Sequence, residues 1–495
     1  MISFSFRCIY VIITVSRTGL FNIEENPRKV VYRTANSEKT RGFFNNGGTC
    51  ERGFGQLAEL QGNLRTYISD FSAVFKTSKS DVSTQASSYA SGLFQTKNRN
   101  IEKVSEQAPD AQYHQLHHFI TYSPWDDAAV DKRIMKRASE KLQGNGPVGL
   151  VLDPTGLPKK GKDSVGVTRQ WIGNQGKVDN GQVAVTAALV NGRDTCLIDK
   201  ALYLPKDWVA DDQRCEKAGI PLADRNYRSH QQIVVEMIKR IDAQGVAYDW
   251  IGMDAEFGNP ALLNGLDDQG KQFLVDVKRT LKVYPRCPKI RTRTKDRNGS
   301  LKKLSYTAKS VAVENLIDGR RWKRVQVRNT TKGPLVAEIQ QRVVWLMNSR
   351  TGKSHPYHLI VRRDRGKEQV RTKYSLSNAP LDMSLEALSF MQAQRFWVEH
   401  AIKECKQQAG MSDYQVRRWR PWHHHFSMVM LIGLFLMEER LRFRDELPLL
   451  TSGDIWTLLF QLLPRKTDTR SGLLQMIQTR YRKREQGIQR HYLKE

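Results

Sequence analysis

The sequence predicts an α/β fold whose sheet mixes strand directions. Three observations carry that expectation. Short apolar runs alternate with a helical pattern between Pro147 and Val277, two strand-like runs are joined by the turn Asn191-Gly192-Arg193, and helical periodicity flanks the strand-rich middle on both sides. The length of 495 residues gives ample capacity for buried cores, and a hydrophobic content of 39% excludes wholesale disorder.

In chain order, residues 1–55 mix Asn, Gly, Lys and Arg without period and are left unassigned. The mildly apolar stretch Met1 to Val15 is not followed by a clear small-residue cleavage site, so it reads as an extension and not a signal peptide. Residues 56–145 read as helical and form a candidate DNA-binding or capping domain. Leu57, Leu60, Leu64 and Ile68 recur at helical spacing, and Ser123-Pro124-Trp125-Asp126 opens a helix over Asp127 to Leu142.

Residues 146–278 change grammar. Pro147 to Leu152 is a strand ending at Asp153, followed by a Gly/Pro/Lys loop over Pro154 to Lys162. Gln182 to Val190 and Thr195 to Leu204 make a hairpin. A helix over Ser229 to Gln244 leads to a strand over Tyr248 to Met253, ending at Asp254. Asn259-Pro260 then supplies an N-cap and first helical position before a last short strand, Gln272 to Val277.

Residues 279–380 comprise a basic linker and a β unit, read as a separate insertion. Lys278 to Lys303 is dense in Lys and Arg, and strands are expected over Ser310–Val313, Trp322–Val327, Leu335–Leu346 and Tyr357–Arg362. Residues 381–441 return to helix. One helix begins near Ser384 and stops at Gly410, a residue suited to the left-handed position past a helix end. At about 100° per residue it places Arg395, Glu399, Lys403 and Lys406 on one face and packs Leu388, Met391, Val398, Ala401, Ile402 and Cys405 inward. The apolar run Phe426 to Met437 is far short of the roughly 20 residues a membrane span needs, so it reads as a buried core helix. Residues 442–495 form a basic helical tail.

The formal charge of +28 points to a polyanionic partner, and nucleic acid suits it better than a membrane. Six cysteines without paired CxxC spacing give no ordinary zinc site and suit reduced thiols in the cytoplasm. Asp153 and Asp254 at strand ends, facing Glu399 from a helix, would make a hard-oxygen cage. Such a cage suits two Mg²⁺ ions, with Mn²⁺ as a substitute, open to waters and phosphate oxygens. Each acid taken alone is more often a surface charge.

Nearby groups compete. Glu404 lies about 140° around the helix from Glu399, so both cannot face one metal. Glu256, two residues past Asp254, is a possible outer partner if the strand stays extended. His423-His424-His425 point in different directions and suit phosphate contact or helix-start packing better than a metal. Lys159 and Lys160 are placed to meet phosphates beside Asp153, while Gly156 to Gly161 lacks the register of an ATP-binding loop. Trp419 and Trp422, interleaved with Arg417, Arg418 and Arg420, suit base stacking, whereas Trp397 suits core packing equally well.

Four stretches resemble bacterial insertion-sequence transposases of the DDE superfamily, the IS-four and IS-seven-hundred-and-one types. They are Leu152 to Gly161, Ser164 to Asn180, Met253-Asp254-Ala255-Glu256-Phe257-Gly258, and Arg395 to Arg418. The resemblance runs from about Leu57 to Arg440. It implies an RNase H-like mixed-sheet core interrupted by a β insertion, with Asp153, Asp254 and Glu399 as the catalytic, metal-binding triad. It also implies that Arg395 and Lys406 fill the basic positions of the family's Tyr-Arg-Glu-Lys signature, whose Tyr is replaced here by Gln392. The activity implied is metal-dependent cutting of the element's terminal inverted repeats and joining of the 3′-hydroxyl ends to target DNA by a dimer in the bacterial cytoplasm. The alternatives are a structure-specific nuclease on the same core, or a DNA-binding descendant that has lost catalysis.

Overall fold

In the computed structural model, the described residues are 53–78, 80–144, 146–289, 297–300, 307–319, 321–330, 333–348, 352–365 and 370–492. Nearly all of the 1–55 segment and the centre of the basic stretch, including Arg291, Arg293 and Lys295, lie outside them.

Among the described residues five α-helices come first: α1 (Leu60–Asp70), α2 (Ser83–Gln95), α3 (Ile101–Gln107), α4 (Tyr113–Thr121) and α5 (Asp127–Leu142). Asp126 caps α5 by accepting from Ala128 N–H, so the predicted opening is the one formed. The sheet strands are β1 (Gly149–Pro158), β2 (Thr168–Ile172), β3 (Lys177–Asn191), β4 (Asp194–Leu202), β5 (Trp250–Met253) and β6 (Phe273–Val277). They continue with β7 (Lys323–Thr330), β8 (Gly333–Met347), β9 (Ser354–Arg365) and β10 (Val370–Ser377). Helix α6 (His230–Ala243) precedes β5, opening on a Ser229–Gln232 capping box, and α7 (Pro260–Asp268) joins β5 to β6. After β10 come α8 (Leu385–Gln408), α9 (Trp419–Arg442), α10 (Ser452–Leu462) and α11 (Arg470–Tyr492).

All ten strands belong to one sheet, in the order β2-β3-β1-β5-β6-β10-β9-β8-β7, with β4 also paired to β3. Strands β1, β5 and β6 run parallel, and the other pairs are antiparallel. The expected mixed sheet is therefore present, with two corrections. Strands β7 to β10 are not a separate unit but continue the core sheet: β10 pairs with β6, Tyr374 opposite Val277, and carries β9, β8 and β7 outward. Strand β10 supplies this junction, which the expected strand set lacked. Val311–Ala312, within the expected Ser310–Val313 strand, pairs with Lys282–Val283 in a separate two-stranded sheet.

The second correction concerns β1, which does not end at Asp153. Its parallel pairing with β5 stops at Leu152–Met253, but the antiparallel ladder with β3 runs on through Asp153–Thr186 to Pro158–Gly181. Pro154, which has no N–H to donate, falls just past the last residue paired to β5, on a stretch laddered on one side only. The Gly/Pro composition mimics a loop because one side of the strand lacks a neighbour.

Helix α8 packs against β1, β3, β4 and β7, and α9 packs against α5, α4 and β4. The inward set Leu388, Met391, Val398, Ala401, Ile402 and Cys405 is buried as its spacing predicts. Gly410 adopts φ +76° just past α8, where a side chain would also strike Arg99. The apolar run from Phe426 is core, and no helix among the described residues is long and apolar enough to cross a membrane.

The histidine triplet is helix-start packing. His424 stacks on Trp125, 3.8 Å between ring centroids. His425 Nδ1 lies 2.8 Å from the Tyr89 hydroxyl and Nε2 lies 3.1 Å from Gly410 O, a pairing that suits the neutral ring. Burial pushes the His425 pKa down to about 3. The unfolded chain therefore takes up this proton below about pH 6.5 while the native chain refuses it, so stability falls with pH. Between pH 7 and pH 5, His425 alone should remove about 2 kcal/mol. Denaturant titrations of wild type and His425→Gln check this: the variant starts less stable but loses less on acidification.

Candidate active site

Asp153 and Glu399 share the Arg395 guanidinium where β1 passes α8, and Asp254 follows the neighbouring strand β5. Asp153 lies on β1 one residue past its parallel pairing, and Asp254 directly follows β5. Asp254 Oδ1 accepts from Glu256 N–H at 2.9 Å, turning the chain sharply. Gly258 lets this turn approach β6, because a Cβ there would lie 2.4 Å from Asp276 O.

At the centre stands the Arg395 guanidinium. Its Nη1 is 3.5 Å from Asp153 Oδ1, its Nε is 3.0 Å from Asp276 Oδ2, and its Nη2 is 3.0 Å from Glu399 Oε1. Asp276 is the residue sequence reasoning missed. It sits on β6 with little exposure, accepts from Ser375 Oγ at 2.6 Å, and Ser375 Oγ in turn accepts from Gln392 Nε2 at 2.7 Å. Its signal was present as an acid inside an otherwise apolar strand, Phe273-Leu274-Val275-Asp276-Val277. Gln392, which stands where the resemblance expects Tyr, is thus a buried partner of the acids' supporting network.

The electrostatics follow from burial and crowding. Desolvation pushes the Asp153 carboxyl up to about 8; Arg395 opposes this, while Asp254, Glu399 and Glu256 add to it. Asp254 is also raised, chiefly by burial. Burial depresses the Lys406 ammonium to about 8 despite its attraction to Asp153, and Lys406 Nζ donates to Gly156 O at 3.0 Å. A group of acids held half-neutral by one guanidinium and one ammonium favours an added cation. The donors are hard oxygens, which suit Mg²⁺ or Mn²⁺. The three acids do not close into a chelating set here, and among the described residues no three His, Cys, Asp or Glu side chains are gathered closely enough to hold an ion. Arg395 occupies the middle of the expected cage.

Several expected contacts are placed differently. Glu256 lies in a turn, not extended strand, and bonds His230 Nδ1 at 2.5 Å; that partner holds its carboxyl below the usual range. Trp422 cannot stack on a base because it is fully buried against Phe426, 4.1 Å between ring centroids. Trp419 is half-buried against His423, and Trp397 is half-buried beside Phe396, with Arg328 over the Phe396 ring at 3.6 Å. Lys159 folds over the Tyr414 ring at 3.5 Å and donates to Tyr414 O, whereas Lys160 and Arg418 are exposed. Lys159 departs from the expected phosphate contact because burial favours its packing on an aromatic face.

The sequence profile of the family described as DDE superfamily endonuclease matches residues 75–334. The chain belongs to that family. The matched interval includes Asp153, Asp254 and Asp276, while Arg395 and Glu399 lie beyond it. The chain is 24% identical over 325 residues, 65% of its own length and 72% of the relative's, to a probable transposase for insertion sequence element IS701 from Microchaete diplosiphon. Among solved structures it matches a piggyBac transposase in a synaptic complex with hairpin DNA, seen by cryo-electron microscopy. That match has 11% identity, covers 86% of this chain and 82% of the other, and has a TM-score of 0.36.

The ring of acids around Arg395 sets an expectation for the metal-free protein. Arg395→Ala leaves buried carboxylates without their cation and should cost about 3–5 kcal/mol. Asp276→Asn in the same chain should recover part of that loss. Denaturant unfolding in EDTA of the two single variants and the double variant measures the coupling, and strictly additive losses would show that the pair is not a unit.

Proposed function

We propose that this chain is the transposase of an insertion sequence, cutting the terminal inverted repeats of its element and joining the freed 3′-hydroxyls to target DNA. The observation that carries this reading is Arg395 ion-paired to both Asp153 and Glu399, with Asp254 within its electrostatic reach, in a chain of the DDE endonuclease family. The relative's printed role as a probable transposase supports the same reading. The parallel core strands flanked by antiparallel ones suit an RNase H-like arrangement, with β7 to β10 as the inserted portion.

In this reading Asp153, Asp254 and Glu399 hold two divalent ions, Mg²⁺ or Mn²⁺. When bound, these would activate the attacking oxygen and stabilise the leaving one in an in-line displacement. The chain's own groups prepare the site. Asp276, itself oriented by Ser375, anchors the Arg395 side chain at Nε, so the guanidinium can release Asp153 and Glu399 without leaving the site. Released in this way, Arg395 is placed to neutralise a phosphate, as are exposed Lys160 and Arg418. Lys406, braced on Gly156 O, offers a second positive group beside Asp153. The assembly on paired ends is a homodimer acting on double-stranded DNA in the bacterial cytoplasm. Basic residues of the N-terminal helices, of the 278–289 segment and of the C-terminal helix supply phosphate contacts.

The test uses purified full-length protein, labelled end DNA and Mg²⁺ or Mn²⁺. Asp153→Asn, Asp254→Ala and Glu399→Gln should each lower end cleavage by at least on the order of 10²-fold while retaining DNA binding. EDTA should stop wild-type cutting. Strand-transfer products from donor and target DNA distinguish a transposase from a nuclease that only nicks, and wild-type rates in all three variants would overturn the site.

A further inference from the structure

Away from the acids, the described residues form a concavity of about 710 Å³ with a different chemistry. One wall is the end of the segment joining α8 to α9, which presents Arg417 and Arg418. A second is α4 and the residue after it, presenting Tyr113, His117 and Tyr122, and the third is α11, presenting Lys483 and Arg490. The volume falls within the roughly 300–1,000 Å³ of pockets that take small ligands.

The aromatic rings form a continuous series. Tyr113 and His117 stack at 5.8 Å between centroids, and His117 lies 5.8 Å from Tyr122. Tyr113 is 40% exposed and Tyr122 52%. The acid lining the recess, Glu102, is already held by Lys483 Nζ at 2.8 Å. Arg417 pairs with Asp163 at 2.9 Å, but both side chains are about two-thirds exposed, 68% and 65%, so that pair is weak and exchangeable for a phosphate.

Partly exposed aromatic rings flanked by cations, with Lys483 Nζ itself 5.4 Å over the Tyr113 ring, suit one kind of nucleic acid best. Duplex DNA presents phosphates outward and keeps its base faces covered by their neighbours, so rings within a recess add little to duplex binding. A base that has left its stack can lie on those rings while its phosphates meet the arginines. We infer that this recess binds an unpaired segment of a DNA strand, with a base against Tyr113, His117 and Tyr122 and phosphates at Arg418 and Arg490. The inference rests on the DNA-processing reading above and adds to it a second site, dedicated to unpaired DNA.

The recess is also tied to the acidic site through the chain. Val165 N–H donates to Arg417 O at 2.8 Å, and Lys159 Nζ donates to Tyr414 O at 3.2 Å. The segment following β1, which carries Asp153, therefore braces the arginine wall.

Equilibrium binding tests this without cleavage. Full-length protein in EDTA is titrated against a fluorescent oligothymidylate of about 15 nucleotides, near the upper single-strand site size of one binding unit, and against a fluorescent duplex. Tyr122→Leu and Tyr113→Leu should each weaken oligothymidylate binding on the order of tenfold and leave duplex affinity within about twofold. Arg418→Ala should lower the salt dependence of oligothymidylate binding by about one phosphate contact. Retained duplex affinity reports that each variant is folded. Unchanged oligothymidylate affinity in both tyrosine variants overturns the inference alone, and equal losses on both probes also overturn it by reassigning the recess to duplex phosphates. Failure of the wild type to bind either probe overturns the DNA reading and this inference together.

Discussion

The arrangement of this protein turns on a single guanidinium shared among carboxylates. Arg395 reaches Asp153 from β1, Asp276 from β6 and Glu399 from its own helix, so α8 and the centre of the sheet meet through charge as well as through apolar packing. Like charges crowded in a poorly solvated site cannot coexist without a cation or a proton. Arg395 supplies the first, and the raised Asp153 carboxyl shows the pressure toward the second.

The sheet determines which acids take part. The parallel pairing of β1, β5 and β6 brings together acids 101 and 22 residues apart in the chain (153 to 254, and 254 to 276). Gly258 permits the close approach of the Asp254 turn to β6, and Ser375 of β10 fixes the orientation of Asp276. The later strands thus serve the site directly: β10 joins β6 and furnishes Ser375, and β7 lies under α8 with Arg328 against Phe396.

Buried polar bonds also tie the helices to the sheet. Lys200 of β4 is buried and bonds Asp131 of α5 and Ser427 of α9, while His425 of α9 joins Tyr89 of α2 to the backbone past α8. Burial of an ammonium is tolerated because carboxylate and hydroxyl partners surround it. The bond from His425 to Gly410 O reaches the 409–418 segment, whose Arg417 and Arg418 line the aromatic recess.

Much of this was legible from residues alone. The 100° pattern of Leu388, Val398, Ile402 and Cys405 set the buried face of α8, and Ser384, Asp126, Ser229 and Asn259 marked helix starts because each side chain satisfies free N–H groups. The charge surplus pointed to a polyanion, and the placing of Asp153 and Asp254 at strand ends opposite Glu399 on a helix, with the family resemblance, proposed those acids as a site. Other features required the tertiary structure, since they depend on partners remote in sequence. The continuation of β1 through Pro154 depends on the length of β3, and the union of the later strands with the core depends on β10 finding β6. Asp276 gains its place only through Arg395, and Trp422, read as a surface aromatic among arginines, is buried because α9 turns that side inward. Local periodicity reports which side of an element is apolar; only packing decides what that side meets.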